Sequence, residues 1–166
     1  MNDLGAYRAK AREWLGAMLP AFGKGAQAGL SELDHLALGK RYQRAKFDAG
    51  FAGINWDPEF GGKGLSPLHK VIFEQEEMAC GMPSGYFGVS LGISVPVVMK
   101  FAQDRDWAKE RVLAALKGDE IWCQLFSEPS GGSDVAGLRT RAEKQGNEWV
   151  LNGQKIWTSG AHYSAW

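Results

Sequence analysis

The chain has 166 residues, of which 45% are hydrophobic and 23% are charged, and its basic and acidic side chains balance to a formal net charge of zero. These values are ordinary for a globular protein, and no basic stripe supplies the positive surface that nucleic-acid binding requires. No apolar run approaches the length of a membrane span, and the first residues lack the continuous apolar core of a signal peptide. We therefore expect a cytoplasmic protein.

Cysteines and histidines are too scattered along the sequence to form a recognised metal-binding pattern. Cys80 and Cys123 form no CxxC pair, and His35, His69 and His162 form no HExxH-type cluster. We expect two buried, free thiols in a reducing compartment and no metal site.

Two helices are predicted before residue 50. Apolar residues recur at helical spacing over 4–18, and Pro20 together with the glycine-rich stretch after it is expected to end this helix. Ser31 resembles an N-cap, with Asp34 in the position of a capping box. A second helical pattern runs from there to an expected stop at Gly50.

The segment 51–67 has the composition of a loop but carries several large apolar side chains, which predicts a loop packed against the core. Ser66 followed by Pro67 indicates the start of a helix that runs to Cys80. Three glutamates lie on this helix: Glu74, Glu76 and Glu77. We expect them to form a solvent-exposed face and not an acid–base site, because nothing pairs with them in sequence.

The stretch 82–102 is apolar on almost every side, which predicts a buried helix that Pro96 kinks or breaks. A further amphipathic helix is predicted to begin at Asp104 or Asp106 and to end at Gly118. Within the apolar stretch, small residues would let a neighbouring backbone or a ligand approach closely: Gly85, Gly88, Gly92 and Ser94.

The pattern changes to that of antiparallel strands after residue 119. Residues 121–128 have the apolar character of a strand, and 138–144 alternate between apolar and charged side chains. Asn152-Gly153 between apolar runs indicates a two-residue hairpin turn, which would set Trp149 opposite Ile156.

The predicted fold class is therefore α+β. An N-terminal all-α helical bundle over 1–120 is followed, over 121–166, by the first antiparallel strands of a β-barrel-like domain. A few strands with an open edge leave unpaired main-chain groups and a half-exposed apolar face. We therefore expect this second domain to be incomplete and the chain to be truncated inside it.

The bend that follows Ser127 has the composition of a polar binding loop. Pro129 blocks continuation of a strand, while Gly131 and Gly132 are expected to take positive φ and expose main-chain N–H groups. A second cluster sets a large flat indole beside two hydroxyls, which suits a planar ligand: Trp157, Thr158 and Ser159. Spacing alone favours an ordinary loop and a core tryptophan over a cofactor site.

Sequence motifs give a stronger signal. The stretches "QLFSEPSGGSDVAGLRTRA" and "WVLNGQKIWTSG" closely resemble the acyl-CoA dehydrogenase family, which carries a TEPxxGSD loop and an NGxKxWxTN-like strand. Upstream, "GINWDPEFGGKG" resembles the WPxxxGGxG loop of that family. The resemblance implies an N-terminal helical domain, a middle β domain and a C-terminal helical domain. This chain would hold the first of them and the opening strands of the second.

The resemblance also implies FAD as the cofactor. Ser133 would lie near its pyrophosphate and would contact the thioester substrate, Trp157 would pack on the flavin, and Ser159, or else Thr158, would reach the N5 edge. Ser127 stands where threonine is frequent in the family, and it keeps the hydroxyl. The full set of implied cofactor-binding residues is Gln124, Phe126, Ser127, Gly132, Ser133, Trp157, Thr158 and Ser159.

The reaction that the resemblance implies is oxidation of an acyl-CoA thioester to 2,3-enoyl-CoA, by α-proton removal and β-hydride transfer to FAD. The base of the family is a glutamate of the C-terminal domain, so we assign no catalytic residue here and expect the chain alone to be inactive. Glu128 is expected to order the bend instead. Implied partners are the acyl-CoA substrate, electron-transfer flavoprotein, and further copies in a dimer or tetramer. Alternatives are an acyl-CoA oxidase or flavin monooxygenase of the same fold, and a non-catalytic subunit or interaction fragment.

Overall fold

The computed structural model describes residues 3–166, in which six α-helices precede one antiparallel hairpin. The helices are α1 (Leu4–Phe22), α2 (Lys24–Gln27), α3 (Glu32–Asp48), α4 (Pro67–Cys80), α5 (Val95–Phe101) and α6 (Arg105–Lys117). The strands are β1 (Arg141–Gln145) and β2 (Glu148–Asn152). A helical region followed by antiparallel strands confirms the predicted α+β class.

Side-chain caps determine where the long helices begin. The side chains of Asp3, Ser31 and Asp104 each accept a hydrogen bond from a main-chain N–H in the first turn of α1, α3 and α6. Gly118 takes the left-handed conformation, with φ of 84°, directly after α6. The predicted cap at Ser31, the start at Asp104 and the stop at Gly118 are confirmed.

The first helix is longer than predicted. Pro20 lies inside α1, which ends only at Phe22. Phe22 is buried and its ring lies 5.4 Å from the ring of Tyr42 in α3, so tertiary packing extends the helix past the proline.

The larger core lies between α1, α3 and α4. Phe73 of α4 stacks on Phe51 with ring centroids 4.7 Å apart, and Trp14 of α1 packs on both rings. Since Phe51 comes from the segment 51–67, that segment packs against the core, as predicted. The buried members of this core are Ala11, Leu15, Phe22, Leu38, Tyr42, Phe51, Ile54, Phe73 and Met82.

Two of the three glutamates on α4 are tied into the helical bundle, so the prediction of a solvent-exposed acidic face is wrong for them. Glu76 accepts hydrogen bonds from Arg8 and Arg12 of α1, and these partners lower its pKa. Glu74 alone keeps the expected exposure, in an ion pair with Lys70 one turn away. The partners of Glu76 are far away in sequence, which is why sequence spacing did not reveal them.

Glu77 is the most deeply buried of the three glutamates, with 7% of its surface exposed. It accepts hydrogen bonds from the Tyr42 hydroxyl at 2.7 Å and from the Lys46 ammonium at 2.9 Å, both on α3. A buried carboxylate is tolerated because these two donors satisfy it.

The apolar stretch 82–102 is helical from Gly85 to Phe101, as predicted, but it is not a regular α-helix throughout. A 3₁₀ turn at Gly85–Phe87 is followed by a π-helical turn at Ser90–Ser94, and α5 follows directly. Pro96 stands in the first turn of α5, directly after the π turn, so the regular α-helix is interrupted just before the proline, where a kink or break was predicted.

This stretch is also less buried than predicted. Val95 is fully buried in a second core with α6, whereas Ile93, Val97 and Phe101 are 43%, 53% and 67% exposed. Ile93, Val97 and Phe101 therefore leave apolar side chains exposed at the surface.

The predicted sheet is reduced to one hairpin, with a different turn. Lys144 pairs with Trp149, which makes Gly146-Asn147 the two-residue turn, with Gly146 at φ of 63°. The predicted turn at Asn152-Gly153 and the predicted pairing of Trp149 with Ile156 are wrong. Both dipeptides suit a tight turn, and the pairing of β1 with β2 decides between them.

Residues 121–127 form no strand ladder, which corrects the predicted strand. Isolated main-chain hydrogen bonds attach this segment to the last part of the chain. They are Cys123 N to Trp166 O at 2.8 Å, Ala165 N to Ile121 O at 2.7 Å, and Ile156 N to Ser127 O at 3.0 Å. The short segments that lie beside 121–127 offer single bonds and no continuous partner strand.

A candidate cofactor site at the Ser127 bend

A cavity of about 250 Å³ lies between the segment before the bend and the segment that follows β2. Residues distant in sequence meet there because Ile156 donates its main-chain N–H to the Ser127 carbonyl. Five of the eight predicted cofactor residues line this cavity: Gln124, Phe126, Ser127, Trp157 and Ser159. Val89 and Ile156 complete the lining.

The other three predicted residues lie outside this cavity. Gly132 is adjacent to it, since a Cβ built on Gly132 would stand 3.6 Å from the Ser127 hydroxyl oxygen. Ser133 lies in the exposed part of the loop, and the side chain of Thr158 does not line the cavity. The structure therefore brings the segment before the bend together with the segment around Trp157. The tip of the bend, which carries Ser133, lies outside the cavity.

Glu128 holds the bend in place. Only 3% of its surface is exposed, and its carboxylate accepts hydrogen bonds from the Lys155 ammonium at 2.8 Å and from the main-chain N–H groups of Arg139 at 2.6 Å and Thr140 at 2.9 Å. Lys155 first, and then the two main-chain donors, lower the pKa of Glu128 to about 2. A carboxylate held by three donors is a weak base at neutral pH, which confirms the expectation that Glu128 orders the bend.

The two glycines of the bend do not behave as predicted. Neither Gly131 nor Gly132 has a positive φ. The loop closes instead through a reciprocal pair of main-chain hydrogen bonds between Glu128 and Gly131, at 3.1 Å and 3.0 Å. The Gly131 N–H is therefore used within the loop and is not presented to a ligand.

Trp157 has the most unusual conformation in the site. Within residues 3–166 it is the single non-glycine residue with a positive φ, 53°, and its side chain is 79% exposed. A bulky residue in this region of φ is strained, and such strain concentrates at ligand sites. Trp157 is therefore not a core tryptophan. No pattern in the sequence signals this backbone angle.

Lys155 adds a second link across the cavity. Besides its bond to Glu128, its ammonium donates to the carbonyl of Phe126 at 3.0 Å. Sequence reasoning missed Lys155, although the residue stands two positions before Trp157 in the second motif. A lone lysine in a polar segment gives no local sign that it bonds to a buried glutamate.

Within residues 3–166, no three histidine, cysteine, aspartate or glutamate side chains gather into a possible metal site. None of the helices there combines the length and the apolar character needed to cross a bilayer. Cys80 and Cys123 are free thiols and are half-buried, not fully buried as expected.

Two domain models of one protein family match the chain. The N-terminal domain of acyl-CoA dehydrogenases matches residues 6–119, and the middle domain matches residues 123–166. The chain belongs to the acyl-CoA dehydrogenase family. This confirms the resemblance drawn from the loop at Ser127 and the motif at Trp157.

Members of the acyl-CoA dehydrogenase family are similar to this chain over its whole length. Acyl-CoA dehydrogenase IpdE1 of Mycobacterium tuberculosis is 36% identical over 100% of this chain and 44% of its own length.

The crystal structure of the ChsE4–ChsE5 complex from Mycobacterium tuberculosis matches 99% of this chain and 41% of its own chain, with a TM-score of 0.78 and 25% identity. A Mycobacterium smegmatis glutaryl-CoA dehydrogenase in complex with FADH2 matches 99% of this chain and 41% of its own, with a TM-score of 0.66 and 20% identity, and supports the fold alone. The chain spans less than half the length of each.

Proposed function

We propose that this chain supplies one wall of the FAD site in an enzyme that oxidises acyl-CoA thioesters to 2,3-enoyl-CoA. The observation that carries the proposal is the cavity at the Ser127 bend, where the exposed and strained Trp157 meets Phe126 and Ser127. Membership of the acyl-CoA dehydrogenase family supports the reaction class. We place the division between the helical domain and the β domain at residues 120 and 121.

The residues around the cavity suit a flavin. A flavin ring is flat, with apolar faces and a polar edge, and binding it calls for an aromatic or apolar surface beside hydrogen-bonding groups. Trp157 offers an indole face that is 79% exposed, and Gln124, Ser127 and Ser159 offer an amide and two hydroxyls on the same cavity. When bound, FAD supplies the acceptor for the hydride that leaves the substrate.

The proposed role of this chain is to hold and orient the flavin. Glu128 and Lys155 fix the Phe126 carbonyl and the bend, which keeps the cavity wall at a set distance from Trp157. The indole would exclude water from one face of the flavin. Within residues 3–166 no carboxylate lines the cavity, and Glu128 is occupied by its three donors. We therefore assign α-proton removal to no residue of this part of the chain.

We further propose that the enzyme is an assembly of several chains. Leu125 and Phe126 are 55% and 56% exposed beside the cavity, and Leu151 of the hairpin is 72% exposed. Contiguous exposed apolar surface can mark a contact site for another protein, and Leu125 and Phe126 are adjacent. The similar ChsE4–ChsE5 structure is described as a complex, which favours a second candidate: a subunit that completes its site with another chain. We also propose that electron-transfer flavoprotein accepts the electrons from the reduced flavin. We propose a cytoplasmic location for the enzyme.

The test is the anaerobic addition of saturated acyl-CoA thioesters of graded chain length to the flavin-loaded protein that contains this chain. Absorbance of the oxidised flavin is expected to fall with at least one thioester. No fall with any of them contradicts the dehydrogenase proposal. Rapid reoxidation of the reduced flavin by air would instead favour an acyl-CoA oxidase or a flavin monooxygenase.

Ser127→Ala combined with Ser159→Ala tests the assignment of the hydroxyls. The double variant is expected to lose FAD faster than the parent protein in gel filtration, because two hydrogen-bonding groups on the cavity are removed. Ser130→Ala, on the same loop but outside the cavity, is the matched control. Equal retention of FAD in all three proteins would remove the assignment of both hydroxyls.

A further inference from the structure

The stretch 85–94 of the helical region supplies one wall of the bend cavity, through Val89. At the end of this stretch, the Ser94 hydroxyl donates to the Cys123 carbonyl at 3.0 Å. That bond attaches the helical wall to the segment before the bend. A separate contact is needed to hold the helical wall against the segment that carries Trp157.

Two tyrosine rings make that contact. The ring of Tyr86, at the start of the stretch 85–94, packs edge-on against the ring of Tyr163, with centroids 5.3 Å apart and ring planes at 81°. An edge-to-face pair at this distance is a favourable aromatic geometry. Tyr163 lies in the short turn that follows Trp157 and Ser159. The pair of rings therefore joins two walls of the cavity.

Each ring of the pair lies directly against a glycine. A Cβ built on Gly160, which has φ of 78°, would stand 2.7 Å from the Tyr163 hydroxyl oxygen. A Cβ built on Gly39 of α3 would stand 3.1 Å from Cδ2 of Tyr86. Both distances are shorter than ordinary van der Waals contact, so glycine allows each ring to lie on the backbone. Helix α3, the two rings and the turn at Gly160 therefore form one continuous packed stack.

Polar contacts on the helical side fix the ring of Tyr86. Its hydroxyl lies 3.1 Å from Nδ1 of His35 in α3, and Nε2 of His35 lies 3.0 Å from the side-chain oxygen of Gln27. The amide nitrogen of Gln27 donates in turn to the carbonyls of Phe22 and Gly81. Because these bonds attach Tyr86 to the helices, the Tyr163 ring packs against a fixed surface.

A second side-chain link between the same turn and α3 is exposed. Nε2 of His162 lies 2.9 Å from Oε1 of Glu32, and both side chains are 67% exposed. An exposed polar pair of this kind contributes little to holding a segment in place. Tyr163 is half-buried, so its ring is the stronger of the two links.

We infer that Tyr163 is a positioning residue for the candidate cofactor site. Packed on Tyr86, it holds the turn that carries Trp157 and Ser159 at a set distance from Val89. The positive φ of Trp157 is a conformation that the surrounding structure has to maintain, and the two rings supply part of that support. The role in flavin binding rests on the proposed function, whereas the order that the rings impose on the turn does not.

Nitrogen-15 relaxation of the chain without flavin tests the ordering of the turn. In Tyr86→Ala and in Tyr163→Ala, the heteronuclear NOEs of the main-chain amides of Trp157 and Ser159 are expected to fall, because the turn loses the surface on which it packs. Neither tyrosine belongs to a buried core, so both variants are expected to keep the far-UV circular dichroism of the parent chain. Tyr163→Phe keeps the ring and is expected to keep the parent values. His162→Ala removes the exposed link alone and is the matched control. Parent values in either alanine variant overturn the inference.

Titration of FAD in a double-mutant cycle tests the role in the cofactor site. Each alanine variant is expected to raise the Kd for FAD about threefold to tenfold, the factor that corresponds to the loss of one aromatic pair. The double variant Tyr86→Ala/Tyr163→Ala is expected to bind no more weakly than the weaker single variant, because the two rings act through one contact. Tyr163→Phe is expected to bind as the parent chain does. An unchanged Kd in Tyr163→Ala, or a product of the two single effects in the double variant, overturns the inference.

The two experiments distinguish failure of this inference from failure of the proposed function. If the parent chain does not bind FAD, the proposed function is contradicted, and the flavin role of Tyr163 is contradicted with it. The relaxation values still decide whether the two rings order the turn, because they are measured without flavin. If the parent chain binds FAD and the alanine variants bind it equally well, the proposed function stands and the inference about Tyr163 is wrong.

Discussion

The helical region (residues 4–117) holds most of the buried large apolar side chains, whereas the strand region (residues 121–166) buries only Ile121 and Trp122. In the helical region Phe51, Phe73 and Leu116 are at most 3% exposed. In the strand region Trp149, Leu151 and Trp157 are 63%, 72% and 79% exposed. Burial of apolar surface is the main source of folding free energy, so the stability of the chain resides in the helices. The strand region carries most of the lining of the candidate cofactor cavity and leaves large apolar side chains exposed.

The largest expected effect comes from the core of the helical region. Phe73→Ala removes a ring that is 1% exposed and stacked on Phe51, and is expected to lower the free energy of unfolding by about 3–5 kcal/mol. Leu151→Ala in the strand region is the contrasting variant and is expected to change it by less than about 0.5 kcal/mol. Urea unfolding followed by far-UV circular dichroism measures both. Similar losses in the two variants would remove the distinction between the regions.

A smaller effect is expected from the buried polar contact between α3 and α4. Glu77→Gln leaves the Lys46 ammonium without its anionic partner, and the free energy of unfolding should fall by about 1–3 kcal/mol. Glu74→Gln, on the same helix, removes an exposed ion pair and should cost less than about 0.5 kcal/mol. If the two variants unfolded at the same urea concentration, the burial of Glu77 would have no energetic consequence.

The stability of the strand region should depend on acid pH through Glu128. Pairing lowers the pKa of Glu128 in the folded chain, so its contribution is fully present above its ordinary value of 4.5 and is lost as the pH falls toward about 2. The amide signals of Arg139 and Thr140, which donate to Glu128, should shift in NMR spectra of the folded chain as the pH falls toward about 2. Glu128→Gln should remove most of this pH dependence. A shift in the parent chain that persists unchanged in the variant would assign it to another group.

The helices were largely predictable from sequence because their signals are local. The cap at Ser31 and the left-handed glycine at Gly118 are decided by neighbours within one turn. The partners of Glu77 were not predictable, because they lie on another helix. Nor was the hairpin turn, since Gly146-Asn147 and Asn152-Gly153 are both acceptable and only strand pairing selects one.

The candidate site was predicted in part, from family motifs and not from local structural signals. The family motifs identified Phe126, Ser127 and Trp157, which do line one cavity. The bond between Glu128 and Lys155 and the strained φ of Trp157 were not predictable, because both depend on how segments far apart in sequence pack together. Motif spacing indicates which residues belong to a site, whereas their geometry is set by tertiary contacts.

Titration of FAD into the chain tests the central claim most directly. The account predicts weak but saturable quenching of flavin fluorescence, with an affinity at least tenfold lower in Trp157→Ala, because the exposed indole is the proposed stacking surface. Trp149→Ala removes an indole of similar exposure from the hairpin and should leave the affinity unchanged. Equal affinity in the parent chain and in Trp157→Ala would contradict the assignment of the flavin wall to the Ser127 bend.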